Sequence, residues 1–184
     1  MATFGERLIG AARLDAETYE EVEHDQTATG QAAGVVVFSS IAAGIGNWEQ
    51  LGLLGVVGGS IGSVIGWCVW AFVTYVIGTK ILPGPKTEAD MGQMLRTLGF
   101  SSSPGLLRVF GIIPMLGIFV QVVTSIWMLA AMVVAVRQAL DYESTGRAIG
   151  VCAIGFLAYL VTMLGLLALL AEMGGIPSPH EYAP

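Results

Sequence analysis

QVVTSIWMLAAMVVAVRQALDYESTGRAIGVCAIGFLAYLVTMLGLLALL, residues 121–170, is two long apolar runs joined by the compact polar hinge RQALDYESTGR. Ile118–Val136 and Ala148–Leu170 carry no charged residue, and each meets or nearly meets the roughly 20 residues a helix needs to cross a bilayer. The stretch therefore reads as a membrane hairpin. Arg137 closes one run and Arg147 opens the next, the placement of positive charge expected of a short cytoplasmic loop.

Working outward, the composition agrees. Of 184 residues 54% are hydrophobic and only 12% charged, with a mean hydropathy of +0.73; a soluble domain carries about twice that charge. Net charge is −6, and seven of the acids fall between Glu6 and Asp25, which argues against nucleic acid as a partner. Cys68 and Cys152 both lie in apolar runs and read as small polarizable packing residues rather than as a disulfide. The charged opening, with its first apolar run near Ala32, does not read as a signal peptide, so the first span is expected to direct insertion.

Before the first span, Phe4, Leu8 and Ala12 recur at helical spacing and predict an amphipathic surface helix over Phe4–Leu14. Asp15 caps a second, acidic helix with Glu17 in its first turn and Tyr19 and Val22 as its larger apolar contacts. Glu20 and His24 stand at i, i+4, but one histidine among carboxylates reads as a solvated acidic face, and no metal site or cofactor is assigned.

The first span is expected over Gln31–Asn47, closed by Trp48, and the second over about Leu53–Lys80. The second carries two adjacent stripes of small residues, Gly58, Gly62 and Gly66 beside Gly55, Gly59 and Ser63. Small residues at fourfold spacing let helix backbones approach closely, so these six are the expected helix-packing residues. Gly62→Leu is then expected to impair assembly, whereas Gly52, off both stripes, should tolerate leucine.

Lys80–Arg96 reads as a polar connection with Pro83 and Pro85. Beyond it, Pro104 fits the first turn of a helix with the preceding serines as caps, and Pro114 would end or kink that helix, but the run from one proline to the next is too short to cross a bilayer. Either a third span starts earlier, near Leu98, with Pro104 as a kink, or the segment is re-entrant. Charge favours the former. With five spans, Arg7, Arg13, Lys80, Lys86, Arg96, Arg137 and Arg147 all lie on one side, with the N-terminus cytoplasmic and the C-terminus outside. Arg108 is then the basic residue within a span, expected to snorkel to the cytoplasmic headgroups. Gln121, Thr124, Ser125 and Met128 share a face of the fourth span, read as an interhelical packing face with hydrogen-bonding capacity; Gln121, Thr124 and Ser125 form, with Arg108, the candidate intramembrane polar set.

Catalytic groups are missing from this pattern. Gly99-Phe100-Ser101-Ser102 faintly echoes an intramembrane serine nucleophile, but no span carries a histidine base, and His24 and His180 stand at opposite ends. A serine without a base is only a polar residue.

LDAETYEEVEHDQTATGQA, LGFSSSPGLL and SIWMLAAMVVAVRQALDYESTGRAI together resemble a prokaryotic member of the Yip family, the Ypt/Rab-interacting membrane proteins, over about Leu14–Leu170. The resemblance implies five transmembrane helices, a cytoplasmic N-terminus and no catalytic activity. Eukaryotic members act in early secretory trafficking through small GTPases; their Asp-Leu-Tyr-Gly-Pro motif is absent here, so a GTPase partner is not carried over.

The expected protein is thus an all-α polytopic bundle of the cell membrane, with a helical segment 1–29, a five-span domain 30–171 and an outer tail 172–184. Its leading function is non-enzymatic, organising membrane or protein partners through a cytoplasmic face built from Glu20, Glu21, Glu23, Arg137 and Arg147. An accessory subunit of a larger membrane complex, docked or self-associated through the glycine stripes, is the alternative. A small channel or transporter, needing the Arg108 and Gln121 face, is the third.

Overall fold

The computed structural model describes residues 2–173, and it is all-helical over them, with no strand among the described residues. Two short helices, α1 (Phe4–Ala12) and α2 (Ala16–His24), precede α3 (Ala28–Gly46) and α4 (Trp48–Val76), which continues through a π-helical turn, Ile77–Ile81. Then follow α5 (Met91–Phe100), a 3-10 segment (Ser103–Ile112), α6 (Gly117–Ala139) and α7 (Thr145–Met173). The outer tail expected after residue 171 lies almost wholly outside the described residues, as do Glu181 and His180.

Among the described residues four helices are long and apolar enough to cross a membrane: α3, α4 with its π turn, α6 and α7. The remaining crossing is composite. α5 begins at Met91, earlier than expected, under a capping box in which Asp90 accepts from the Gln93 amide and Gln93 accepts from the Asp90 amide. The α-helix stops at Phe100, and Pro104 stands in the first turn of the 3-10 segment rather than kinking an α-helix. Proline at 104 cannot donate to the carbonyl of residue 100; Ser103 Oγ donates to it instead at 2.5 Å, and Ser101 Oγ donates to Leu98 O at 2.7 Å. The serines therefore satisfy carbonyls behind them, and the expected capping of the next helix is replaced by closure of the previous one.

α5 and the 3-10 segment run parallel to α3 along its length. A Cβ added at Gly99 would lie 2.6 Å from Ala32 Cβ, one at Gly105 would collide with Ser39 Oγ, and Gly111 lies against Gly46. Ala32 to Gly46 covers about 21 Å of α-helix, which the partner strand of chain matches with fewer residues because a 3-10 helix rises about 2.0 Å per residue. This end-to-end register makes the segment a crossing rather than a re-entrant loop.

Between α3 and the third crossing the glycines in close contact are thus Gly46, Gly99, Gly105 and Gly111, with Gly44 against Val56 where α3 meets α4. An added Cβ at Gly58, Gly59, Gly62 or Gly66 meets nothing within 4 Å, so these stripe positions support no close packing within the chain. Gly99→Ala is expected to cost about 1–3 kcal/mol through overpacking, whereas Gly62→Ala is neutral or gains up to about 1 kcal/mol of helix propensity. Melting of the two variants in detergent checks the contrast. Gly52 also departs from expectation: its φ of +57° and ψ of −171° are accessible essentially to glycine alone, so leucine there is strained.

The tightly packed core sits at the α1–α2 end, where Tyr19, Val22, Met94, Phe100, Val136 and Leu140 are all fully buried or nearly so. Away from it the outward faces of α4, α6 and α7 are apolar and open, Leu54, Ile118 and Leu164 among them, as a lipid-facing surface requires.

Candidate functional site: a charged cap and a laterally open cavity

Two features stand out from the bundle. The first is the cap formed by α1, α2 and the α6–α7 hinge. Arg7, only 2% exposed, donates from Nη2 to Glu21 (2.9 Å) and Asp25 (2.7 Å) and from Nη1 to Gln31 (3.1 Å), tying α1 to α2 and both to α3. Glu21 also accepts the Ala2 amide, and Trp127 Nε1 of α6 donates to Ala12 O at 2.7 Å. α1 is therefore clamped to the bundle, not merely laid on a membrane surface.

α2 docks on α5 and α6 through its acids. Glu20 accepts from Gln138 (2.9 Å), Glu23 from Gln93 (3.1 Å), and Arg96 reaches the main-chain carbonyls of Val22 and Glu23. Glu23 is 1% exposed, and its second carboxylate oxygen has no hydrogen-bond partner among the described residues. Burial, followed by the neighbouring charges of Glu20 and Asp141, pushes its carboxyl up to about 7. Glu21 is held low, first by Arg7 and then by the Ala2 amide.

Glu20, Glu23 and His24 bring three ligand atoms within 4.8 Å of one another, a grouping the i, i+4 reading saw only in part. All three side chains already have structural partners, His24 Nδ1 bonding the Glu20 carbonyl at 2.9 Å, and their evident work is to seat α2.

The hinge is clamped as firmly. Tyr142 hydroxyl is shared between Leu82 O (2.6 Å) and Gly78 O (3.1 Å), Arg137 Nε donates to Tyr142 O, and Arg147 donates to Pro83 O at 2.9 Å. Tyr142 and Arg147 thereby hold the α4–α5 connection, where Lys86 also pairs with Glu143, while Arg137 braces the hinge itself. Arg7, Arg13, Lys80, Lys86, Arg96, Arg137 and Arg147 all stand at this one end, on α1 and its C-cap, the π turn, the α4–α5 loop, the middle of α5 and the hinge.

The second feature is a cavity of about 600 Å³ between α3, α4, α5 and α6. Gly55, Gly59, Ser63 and Gly66 line its α4 wall, with Asn47 and Arg108 toward one end and Trp67 and Trp70 toward the other. Arg108 does not snorkel toward the cap. Its carbonyl abuts Gly46 at the far end of α3, and its guanidinium donates to Ser125 Oγ (3.1 Å) and Thr124 Oγ1 (3.4 Å). The expected polar face is therefore divided: Ser125 and Met128 line the cavity, Thr124 is buried beside Arg108, and Gln121 is exposed.

A family model described as the Yip1 domain matches residues 21–165, a span reaching from α2 into α7. The chain belongs to the Yip1 family. No curated protein and no solved structure matches. The Yip1 domain here takes in the C-terminal turn of the acidic helix, the composite third crossing and the hinge, and the chain is an integral multi-pass membrane protein. α1 and the first part of α2 stand before the matched span.

Proposed function

We propose that this Yip1-family protein is a non-enzymatic organiser of membrane or membrane-protein partners, acting through the capped end, with that end cytoplasmic and the C-terminus on the other side. The observation that carries the reading is the collection of seven basic side chains at the cap, because Lys and Arg concentrate on the cytoplasmic side of membrane proteins. Glu20, Glu21, Glu23, Arg137 and Arg147 serve it by fixing the surface in one shape, since each has a partner within the chain.

Contacts to a partner then fall to charges left outward, such as Glu17 and Glu88, which are exposed and make no side-chain hydrogen bond or ion pair among the described residues. Reporter fusions after Lys86 and Glu143 are expected to read the inner side, and one after Glu49 the outer side; an outer reading at Glu143 overturns the orientation. Charge reversal at Glu17 and Glu88 together is expected to strip co-purifying proteins while leaving the melting temperature in place. Unchanged co-purification counts against the cap as the working surface.

The accessory-subunit reading has its own support. Gly58 and Gly62 are exposed on α4 with open space beside them, room for a helix of another chain to approach closely.

A further inference from the structure

We infer that the cavity between α3, α4, α5 and α6 is a binding site for an anionic glycerophospholipid, with the lipid phosphate on Arg108 and an acyl chain along the Gly55, Gly59, Ser63 and Gly66 wall. The site is separate from the charged cap and does not depend on the role proposed for it.

Charge is the first argument. Arg108 lies in the composite third crossing, and its hydrogen-bond partners are the neutral hydroxyls of Thr124 and Ser125. No ion pair among the described residues involves it; those present join Arg7 to Glu21 and Asp25 and Lys86 to Glu143. A guanidinium in a low-dielectric setting is costly unless an anion neutralises it. Its planar fork matches a phosphate oxygen pair better than any other basic side chain does. A lipid with net negative charge cancels the guanidinium; a zwitterionic lipid brings its own cation and leaves the site positive.

Shape is the second. The volume of about 600 Å³ falls in the range of about 300–1,000 Å³ typical of small-molecule sites. Most of its lining is apolar; Asn47, Arg108 and Ser125 stand at one end, and the other hydroxyls belong to serines of α3, α4 and the third crossing. Gly55 to Gly66 extends about 16 Å along α4 at 1.5 Å per residue, about half the hydrocarbon thickness of a bilayer and hence the reach of one leaflet's chains. Glycine on this wall makes the room: a Cβ at Gly59 or Gly66 would meet nothing within 4 Å. Arg108 stands near the Gly46 end of α3, so the headgroup enters from the leaflet at the end opposite the cap.

The test is native mass spectrometry of the full chain extracted in mild detergent, with phosphatidylglycerol, phosphatidylcholine or palmitate added. The wild type is expected to retain phosphatidylglycerol with about tenfold preference over phosphatidylcholine, and Arg108→Gln to lose that preference. Gly59→Leu, which keeps Arg108 and fills the cavity, is expected to abolish lipid retention, whereas Gly58→Leu on the outward side of the same helix retains it; melting curves verify that all three fold. Equal retention of the two phospholipids by the wild type overturns the inference. So does undiminished retention by Gly59→Leu, an equal loss in Gly58→Leu, or preferential binding of palmitate.

Discussion

Arg7→Met is expected to lower the stability of the protein by about 3–5 kcal/mol, the cost of removing one partner from a buried charge network. Methionine keeps most of the side-chain length, so the loss reports the charge and its hydrogen bonds rather than a cavity. Arg7 is 2% exposed and meets three acceptors on α2, its C-terminal turn and α3. Without it, Glu21 and Asp25 face each other and Gln31 uncompensated, and Asp25, 8% exposed, has little access to water. Arg7→Lys should fall between, because one ammonium cannot copy the guanidinium's fixed fork toward Glu21, Asp25 and Gln31. Melting in detergent reads the effect, and limited proteolysis should show early cleavage between α1 and α2. Adding Glu21→Gln and Asp25→Asn to Arg7→Met should restore part of the loss, since the stranded charges are then gone. An unchanged melting temperature for Arg7→Met would mean that the clamp does not hold α1 to the bundle.

Much of the fold was legible where apolar runs are long and uninterrupted. The hairpin of α6 and α7, the acidic helix capped by Asp15, and Tyr19 and Val22 as its buried contacts all emerge from length, charge and helical period alone. The third crossing resisted because it is two short helices of different pitch, neither long enough to register as a span. A trace of it was present. Gly99, Gly105 and Gly111 recur every sixth residue, which is two turns of a 3-10 helix and off-face for an α-helix. Their partners Ala32, Ser39 and Gly46 recur every seventh, close to two α-helical turns. Fourfold spacing of glycines, the signature of two packed α-helices, points instead to α4.

Site residues fared according to whether their role was local. The i, i+4 relation of Glu20 and His24 follows from helical geometry, and the structure adds Glu23 to the group. The partners of Arg7, Glu23 and Arg108 depend on which helices lie side by side, and sequence spacing does not encode that. Nor could hydropathy distinguish the glycine face lining a cavity from one packed on a helix, since both are stripes of small residues in an apolar span.

Glu23→Gln is expected to stabilise the protein above neutral pH and to do nothing of the kind in acid. The folded protein keeps a proton on Glu23 up to about pH 7, against an ordinary 4.5, chiefly because the group is buried. Across that window the folded state binds more protons than the unfolded state, so stability falls as pH rises from about 4.5 to about 7. At pH 8 the ionised carboxylate costs roughly 3 kcal/mol relative to a group with no shift. Glutamine reproduces the neutral acid in size, can still accept from Gln93, and offers its own amide to the nearby Glu20. Its advantage should therefore approach roughly 3 kcal/mol at pH 8 and vanish below about pH 4.5. The groups around it act in known directions: Glu20 and Asp141 raise its affinity for a proton, His24 and Arg96 lower it. His24 is itself raised, first by its bond to the Glu20 carbonyl. Its contribution is complete below its ordinary value of 6.5 and is lost above, the same sense as Glu23, so Glu23→Gln should leave a small slope near neutrality that His24→Gln removes. Glu21 and Asp25 oppose both. Asp25 is held down to about 2, first by the Thr27 hydroxyl and then by Arg7, and Glu21 is also lowered. Their stabilisation is complete above the ordinary carboxylate range and is lost as pH falls from there through their lowered values, down to about 2 for Asp25, on the acid side of the Glu23 window. Melting curves of wild type and Glu23→Gln from pH 3 to 9, in one detergent at one ionic strength, should converge in acid and separate above neutrality. Parallel curves across the whole range would place Glu23 in water with an ordinary carboxyl, and the docking of α2 would then rest on Arg96, the Glu20–Gln138 bond, the Arg7 clamp and the apolar contacts of Tyr19 and Val22.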